Sequence, residues 1–200
     1  MIIAGVWADK KLLHEFELLG VKDSKLLSDK HCHELAIQIR TLCKGNFQEV
    51  EIPPERYNEL YEQFKAENKN LNHLLAWGHA RAIESLLERL SCGYAVADQF
   101  GDEHYITSRL MQRGKSLKLI QLPKGERYIA VAAASILARD CFVRRLEQIG
   151  HELGFVLPKG ASDAVISTAK NVVNRSGIAG LRKVAKIHFK TTSLVLNERV

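Results

Sequence analysis

Missing from this 200-residue chain is any Cys-x-x-Cys pair. Its four cysteines, Cys32, Cys43, Cys92 and Cys141, lie far apart, so neither a zinc ribbon nor a disulfide framework is indicated. They read as reduced thiols of a cytoplasmic protein. Eight histidines are present, but none forms a His-x-x-x-His pair. His31 and His33 fall at strand-like spacing on an expected helix and should diverge. No apolar run approaches the length of a membrane span. The apolar start from Met1 to Trp7 is too short for a signal peptide and has no basic segment before it. Also absent are a Gly-x-x-x-x-Gly-Lys phosphate loop, a Gly-x-Ser-x-Gly nucleophile elbow and a dinucleotide fingerprint after the first strand. Cys92 and Cys141 have no evident histidine partner for thiol catalysis. Repeats, low-complexity tracts and linkers are lacking as well.

What is there is an ordinary globular composition, 46% hydrophobic, sufficient for a core. Lys and Arg number 29 against 23 Asp and Glu, an excess of +6. That balance favours a polyanionic partner, nucleic acid first. The length fits one large domain, with two small ones as the alternative.

Strands and helices alternate. Residues 2–8 read as a strand, and Leu18 to Leu27 as a loop. Ser28 is a suitable N-cap for a helix reaching about Cys43. Phe47 to Ile52 is strand-like, and Pro53-Pro54 stops it and opens a helix to about Lys65. Asn68 to Asn70 precede a helix from Leu71 to about Leu90, with Leu71, Leu74, Leu75, Gly78, Ala82, Leu86 and Leu90 as its core stripe. A short buried strand, Tyr94 to Ala97, ends on Asp98. A helix over His104 to Gln112 and a strand over Leu117 to Gln121 follow. The next helix, Arg127 to Ile149, is apolar on nearly every side from Ile129 to Ala138, Ser135 excepted, and must be buried. Beyond the Pro158-Lys159-Gly160 turn, a helix spans Asp163 to Arg175. Gly177 and Gly180 separate it from Leu181 to Lys186, and a short terminal helix comes last. The class is α/β, a mixed β-sheet flanked by helices with a helical C-terminal part.

Two carboxylates stand out: Asp98 at the end of a buried strand, and Glu126 opening a buried helix. Brought together out of water they repel and lose hydration, so a cation between them is one reading. With no Cys or His alongside, a hard ion such as Mg²⁺ or Mn²⁺ suits them. The other reading is that Asp98 caps a loop and Glu126 decorates a helix N-terminus. Lys22, Ser24 and Lys25 sit on a loop feeding a helix N-terminus, where a hydroxyl, two ammonium groups and free N–H groups suit a phosphate. A solvated basic turn is the alternative there. Lys124 and Gly125, before Glu126, would let a lysine or the backbone approach a phosphate. His188, beside Phe189, is expected to act in structural hydrogen bonding.

Seven segments, in order, resemble bacterial ribonuclease HIII, of the ribonuclease HII/HIII family. They are Val21-Lys22-Asp23-Ser24-Lys25, Tyr57-Asn58-Glu59-Leu60-Tyr61, and the run Asn70-Leu71-Asn72-His73-Leu74-Leu75-Ala76-Trp77-Gly78-His79. Then come Ala97-Asp98-Gln99-Phe100, the run from Ala130 to Arg139, Leu157-Pro158-Lys159-Gly160-Ala161, and Lys186-Ile187-His188-Phe189-Lys190. The resemblance spans about residues 3 to 190. The sister ribonuclease HII usually has Asp where Glu126 stands.

The resemblance implies a ribonuclease H-like fold and an endonuclease that cuts the RNA strand of RNA–DNA hybrids by two-metal-ion hydrolysis. Of the family's four acidic metal ligands, two map here, Asp98 and Glu126. Lys22, Ser24, Lys25, Lys124 and Gly125 fall where nucleic acid would be bound. The family's first strand, with an adjacent Asp-Glu pair and a Gly-Lys-Gly turn, has no counterpart in this sequence. Nor has its small N-terminal substrate-binding domain. The expectation is a single catalytic domain over residues 1–200, incomplete at its N-terminus, with little hybrid cleavage until extended upstream. The alternative is a catalytically impaired fragment that binds RNA or hybrid through Lys22, Ser24, Lys25 and the basic Arg182, Lys183, Lys186 and Lys190. A third reading is a phosphate-handling metalloenzyme acting on small molecules. A cytoplasmic monomer without membrane contact is expected.

Overall fold

The computed structural model describes residues 1–196. In chain order these form β1 (Ile2–Val6), α1 (Lys10–Leu18), α2 (Asp29–Cys43), β2 (Phe47–Glu51), α3 (Pro54–Ala66) and α4 (Leu71–Leu87). Then follow β3 (Tyr94–Asp98), α5 (His104–Thr107), β4 (Lys118–Leu122), α6 (Ile129–Leu153), α7 (Asp163–Val184) and α8 (Lys190–Leu196). Local chemistry explains many of these boundaries. The Ser28 hydroxyl accepts the His31 N–H, capping α2, and the Asn70 side chain accepts the Asn72 N–H at the start of α4. Pro54 occupies the first turn of α3, where its missing N–H costs nothing.

Two elements depart from expectation. Helix α1 was not foreseen, although Asp9 caps it through the Leu12 N–H and Phe16 is fully buried. Helix α5 stops at Thr107 rather than reaching Gln112. The buried Glu84 carboxylate explains the early stop. It accepts N–H groups of Met111 (2.5 Å) and Gly114 (2.9 Å), holding that backbone in a loop. Both strand pairings of a mixed sheet occur, but in two separate two-stranded sheets. β1 and β2 are antiparallel, with Ile3 opposite Val50, and β3 and β4 are parallel, with Asp98 opposite Leu122.

The chain divides into two compact units. One comprises residues 2–51 and 68–141. Its main core joins Phe16 of α1 and Cys32, Leu35, Ala36 and Ile39 of α2 to Ala132, Ala133, Ile136 and Leu137 of α6. Each large aliphatic side chain buried there contributes about 1.5–3 kcal/mol, far more than helix propensity supplies. The first turns of α6 are therefore buried or half-buried, as their composition required. In α4 burial is broader than the expected stripe, taking in Ala76, Ala80 and Glu84 besides Leu74, Gly78 and Ala82. Deeper in this unit Asp140, buried on α6, accepts from Arg40 (2.7 Å) and contacts His33 Nδ1 (2.7 Å). His31 instead faces Glu34, so the two histidines do diverge.

The other unit comprises Met1 and residues 52–67 and 142–200, of which those to 196 are described. Val173, Leu181 and Val195 centre its core. Helix α7 is broken at Gly177, whose φ of 65° and ψ of −170° lie outside the helical region, while Gly180 stays within the second helical run. Buried Asn58 organises the segment after it. Its amide donates to the carbonyls of Arg182 (3.0 Å) and Ala185 (2.9 Å), and its oxygen accepts the Ile187 N–H (3.1 Å). The bonds leave His188 stacked on Tyr61 with ring centroids 4.3 Å apart, and the tilted Phe189 ring 4.1 Å from it. The expected hydrogen bonding of His188 is not what holds it, since Nδ1 is buried without a partner. Burial, and then the charge of Lys186, lower its pKa. Replacing Asn58 with Ala strands two carbonyls and an amide, and should cost about 2–4 kcal/mol. Equilibrium urea denaturation measures this; a loss within 0.5 kcal/mol or so would show that water substitutes for the amide.

Candidate metal and nucleic-acid site

Asp98 is the last residue of β3, opposite Leu122 at the end of β4. The chain leaves β4 through Pro123 and Lys124, and Lys124 takes a left-handed conformation (φ 57°, ψ 47°) that side-chain-bearing residues rarely adopt. That turn brings Gly125 onto the strand end. Its N–H donates to Asp98 Oδ1 at 2.8 Å. A Cβ added at Gly125 would lie 2.8 Å from Asp98 Cα and 3.0 Å from Asp98 N, so only glycine fits. Glu126 follows in a short 3₁₀ turn, and α6 begins at Ile129. The two carboxylates, distant in sequence, are thus placed on contacting backbone segments.

Beside Glu126 opens a cleft of about 530 Å³, lined among others by Lys22, Asp23, Lys124, Arg127 and Ile129. Asp98 does not itself line it; Gly125 links the two. Lys25 Nζ stands 3.5 Å from Glu126 Oε1, with the lysine largely exposed and the glutamate mostly covered. Such an exposed pair is worth little energetically, but it puts a mobile cation where a metal or phosphate would arrive. Cationic Lys22, Lys25, Lys124 and Arg127 outnumber the acids around the cleft, which suits an anionic backbone.

Of the residues expected at this site, Asp98, Glu126, Lys22, Lys25 and Lys124 are found around it, and the lysines are exposed. Two expectations are corrected. The Ser24 hydroxyl is not presented to a phosphate: Ser24 is 5% exposed and its Oγ lies 2.8 Å from Ser135 Oγ on α6. The Gly125 N–H is likewise committed, to Asp98. The loop-capping reading of Asp98 is therefore realised, since its Oδ1 accepts the Gly125 N–H. Sequence reasoning missed Arg127 in the cleft, and Arg139, which donates to the Ser24 carbonyl and to Asp29. Ser135 carried a signal, being the polar exception in an apolar run.

Among the described residues no group of three or more His, Cys, Asp or Glu is arranged to hold a metal. A pair of carboxylates is nonetheless a fitting donor set for Mg²⁺, which commonly takes one or two with waters and substrate phosphate oxygens. His79, mid-α4, stacks on Phe100 at 5.2 Å. Burial pushes its pKa down to about 4 against the opposing charge of Asp98, so it stays neutral near pH 7. Among the described residues the four cysteines form no disulfide, and burial raises the Cys43 thiol to about 11, which leaves it unreactive. No described helix is long and apolar enough to cross a membrane.

A family model described as ribonuclease HII matches residues 1–192. Ribonuclease HIII of Protochlamydia amoebophila is 43% identical over 198 residues, covering 99% of this chain and 64% of the relative. Ribonuclease HIII of Chlamydia felis is 40% identical over 194 residues, covering 96% and 63%. The chain thus spans a little under two thirds of these relatives' length. The crystal structure of Bst-RNase HIII in complex with Mn²⁺ superposes with a TM-score of 0.85 at 26% identity, covering 98% of this chain and 64% of that one. The α/β architecture is the ribonuclease H-like fold, and the chain belongs to the ribonuclease HII family.

Proposed function

We propose that this chain forms a ribonuclease H-like catalytic domain that cleaves the RNA strand of RNA–DNA hybrids, with Asp98 and Glu126 as ligands for Mg²⁺ or Mn²⁺. One observation carries the reading: the Gly125 N–H bound to Asp98 Oδ1 sets Glu126 beside the end of β3, at the edge of a cleft rich in lysine. The names of the ribonuclease HIII relatives and the Mn²⁺ complex of one of them support it. When bound, the cation supplies charge neutralisation at the scissile phosphate and a more acidic water. The chain's own part is positional. Gly125 fixes Asp98, and Lys22, Lys25 and Lys124 draw in the phosphate backbone. The exposed Lys25 ammonium can turn from Glu126 to a phosphate as the strand arrives. Four cysteines without a disulfide fit a cytoplasmic setting, and the chain is proposed to act as a monomer.

A second reading, binding of hybrid with impaired cleavage, is favoured by the Lys25 ammonium, which stands 3.5 Å from Glu126 where a metal would be held. One experiment separates them. Hybrid binding is followed by fluorescence anisotropy over a salt series, and RNA-strand cleavage is followed with Mg²⁺ or Mn²⁺. Both are run on the 200-residue chain and on a form carrying an upstream strand with an Asp-Glu pair. Affinity should fall steeply with salt in both forms. Cation-dependent cleavage by the 200-residue chain supports the leading reading, and cleavage by the extended form alone, or by neither, supports the second. Salt-independent binding overturns both.

A further inference from the structure

We propose that Ser135 and Arg139, two half-buried residues of α6, are positioning residues that set where Lys22 and Lys25 stand relative to Glu126. Through them they set the strength of hybrid binding, so the inference rests on the hybrid-binding reading above. Lys22 and Lys25 belong to the connection between α1 and α2, and both are exposed. Left to solvent, such a loop samples many conformations, and ordering it on binding costs affinity. Here it is already ordered. Between the two lysines lies buried Ser24, whose hydroxyl meets the Ser135 hydroxyl at 2.8 Å. The Arg139 guanidinium donates to the Ser24 carbonyl, and to Asp29 Oδ1 through Nε (3.1 Å) and a terminal nitrogen (2.9 Å). Asp23 Oδ1 adds a bond from the Lys25 N–H at 2.9 Å.

The anchor and the carboxylate share one rod. Helix α6 opens directly after the turn that bears Glu126, and Ser135 and Arg139 lie further along it. A loop bonded to that helix is therefore indexed to Glu126, and the 3.5 Å approach of Lys25 to Glu126 is the outcome. Arg139 is not itself placed as a phosphate contact, because its donors are directed at Ser24 and Asp29. Its planar fork is what reaches both partners at once, which a lysine ammonium does not reproduce.

The test measures hybrid affinity by anisotropy across a salt series for the parent chain, Lys25→Ala, Ser135→Ala, Arg139→Leu and Arg139→Lys, with thermal unfolding of each. Lys25→Ala should reduce the salt slope by about 1. Arg139→Leu should reduce it by about 1–2 with a roughly tenfold loss of affinity, and Arg139→Lys should behave alike although the charge is kept. Ser135→Ala should weaken binding about threefold, and the Ser135→Ala/Lys25→Ala pair should bind no worse than Lys25→Ala alone. An unchanged slope in both Arg139 variants, whatever their melting temperature, would reduce these residues to fold stabilisers. Parental behaviour of Arg139→Lys beside a defective Arg139→Leu would make the charge itself the contact, and would also overturn the proposal. If Arg139→Leu does not fold, the Ser135→Ala pair decides: additive losses reject positioning. A parent chain that binds hybrid without salt dependence defeats the hybrid reading, and the inference falls with it, an outcome distinct from the others.

Discussion

Asp98→Asn is expected to abolish hybrid cleavage in whichever form of the protein cleaves, lowering the rate by a factor on the order of 10³ or more, with hybrid binding nearly unchanged. The physical reason is that the substitution separates two jobs of one side chain. Asparagine keeps an Oδ1 that accepts the Gly125 N–H, so the turn before Glu126 stays in place. What it loses is a negative charge and the ability to neutralise a divalent ion. The phosphate contacts proposed for the lysines should persist. Cleavage of a labelled RNA strand, alongside calorimetric Mn²⁺ binding and anisotropy, checks the three quantities together. Full turnover at saturating Mn²⁺ would remove Asp98 from the metal site, and lost hybrid binding with turnover retained would reassign it to the substrate.

Gly125→Ala should have the next largest effect, reached by a different route. The methyl group has nowhere to go: its nearest neighbours are the Cα and N of Asp98, at 2.8 and 3.0 Å, with Asp98 Cβ at 3.2 Å. These are backbone atoms at the end of a paired strand, not the tip of a flexible side chain, so either β3 or the Lys124–Glu126 turn must shift. Overpacking of this kind costs about 1–3 kcal/mol. A displacement of about 1 Å between catalytic groups costs on the order of 10²-fold in rate. Chemical denaturation gives the first figure and cleavage kinetics the second. An alanine variant with parental stability and rate would mean that Asp98 and Glu126 do not depend on their shared contact. A variant that loses stability but not rate would mean that the turn moves as a whole with its carboxylate.

Comparison of the two predictions shows why the site is built on a glycine and a left-handed lysine. The backbone hydrogen bond from Gly125 ties the turn that bears Glu126 to the end of β3, and Lys124 adopts a left-handed backbone to make that turn. The Lys25 ammonium, 3.5 Å from Glu126 Oε1, partly offsets the charge of that carboxylate. Local strain is tolerated because the first turns of α6 are anchored by Ala132, Ala133, Ile136 and Leu137 in the core they share with α1 and α2.

The sequence by itself determined what depends on neighbours in the chain. Caps at Ser28 and Asn70, the stop at Pro53-Pro54, the break at Gly177 and the burial of early α6 were readable because each follows from side chains within a turn or two. Asp98 and Glu126 were legible as a pair only through the ordered set of family-like segments, since their spacing alone fits a capped loop equally well. Tertiary structure decided what distant groups impose. Glu84 shortens α5 by capturing amides far along the chain, Ser135 and Arg139 turn Ser24 from a phosphate contact into an anchor, and Gly125 spends its N–H on a strand end. Such hydrogen bonds form only when folding brings their donors and acceptors out of water together, and nothing in local propensity encodes which partners will meet.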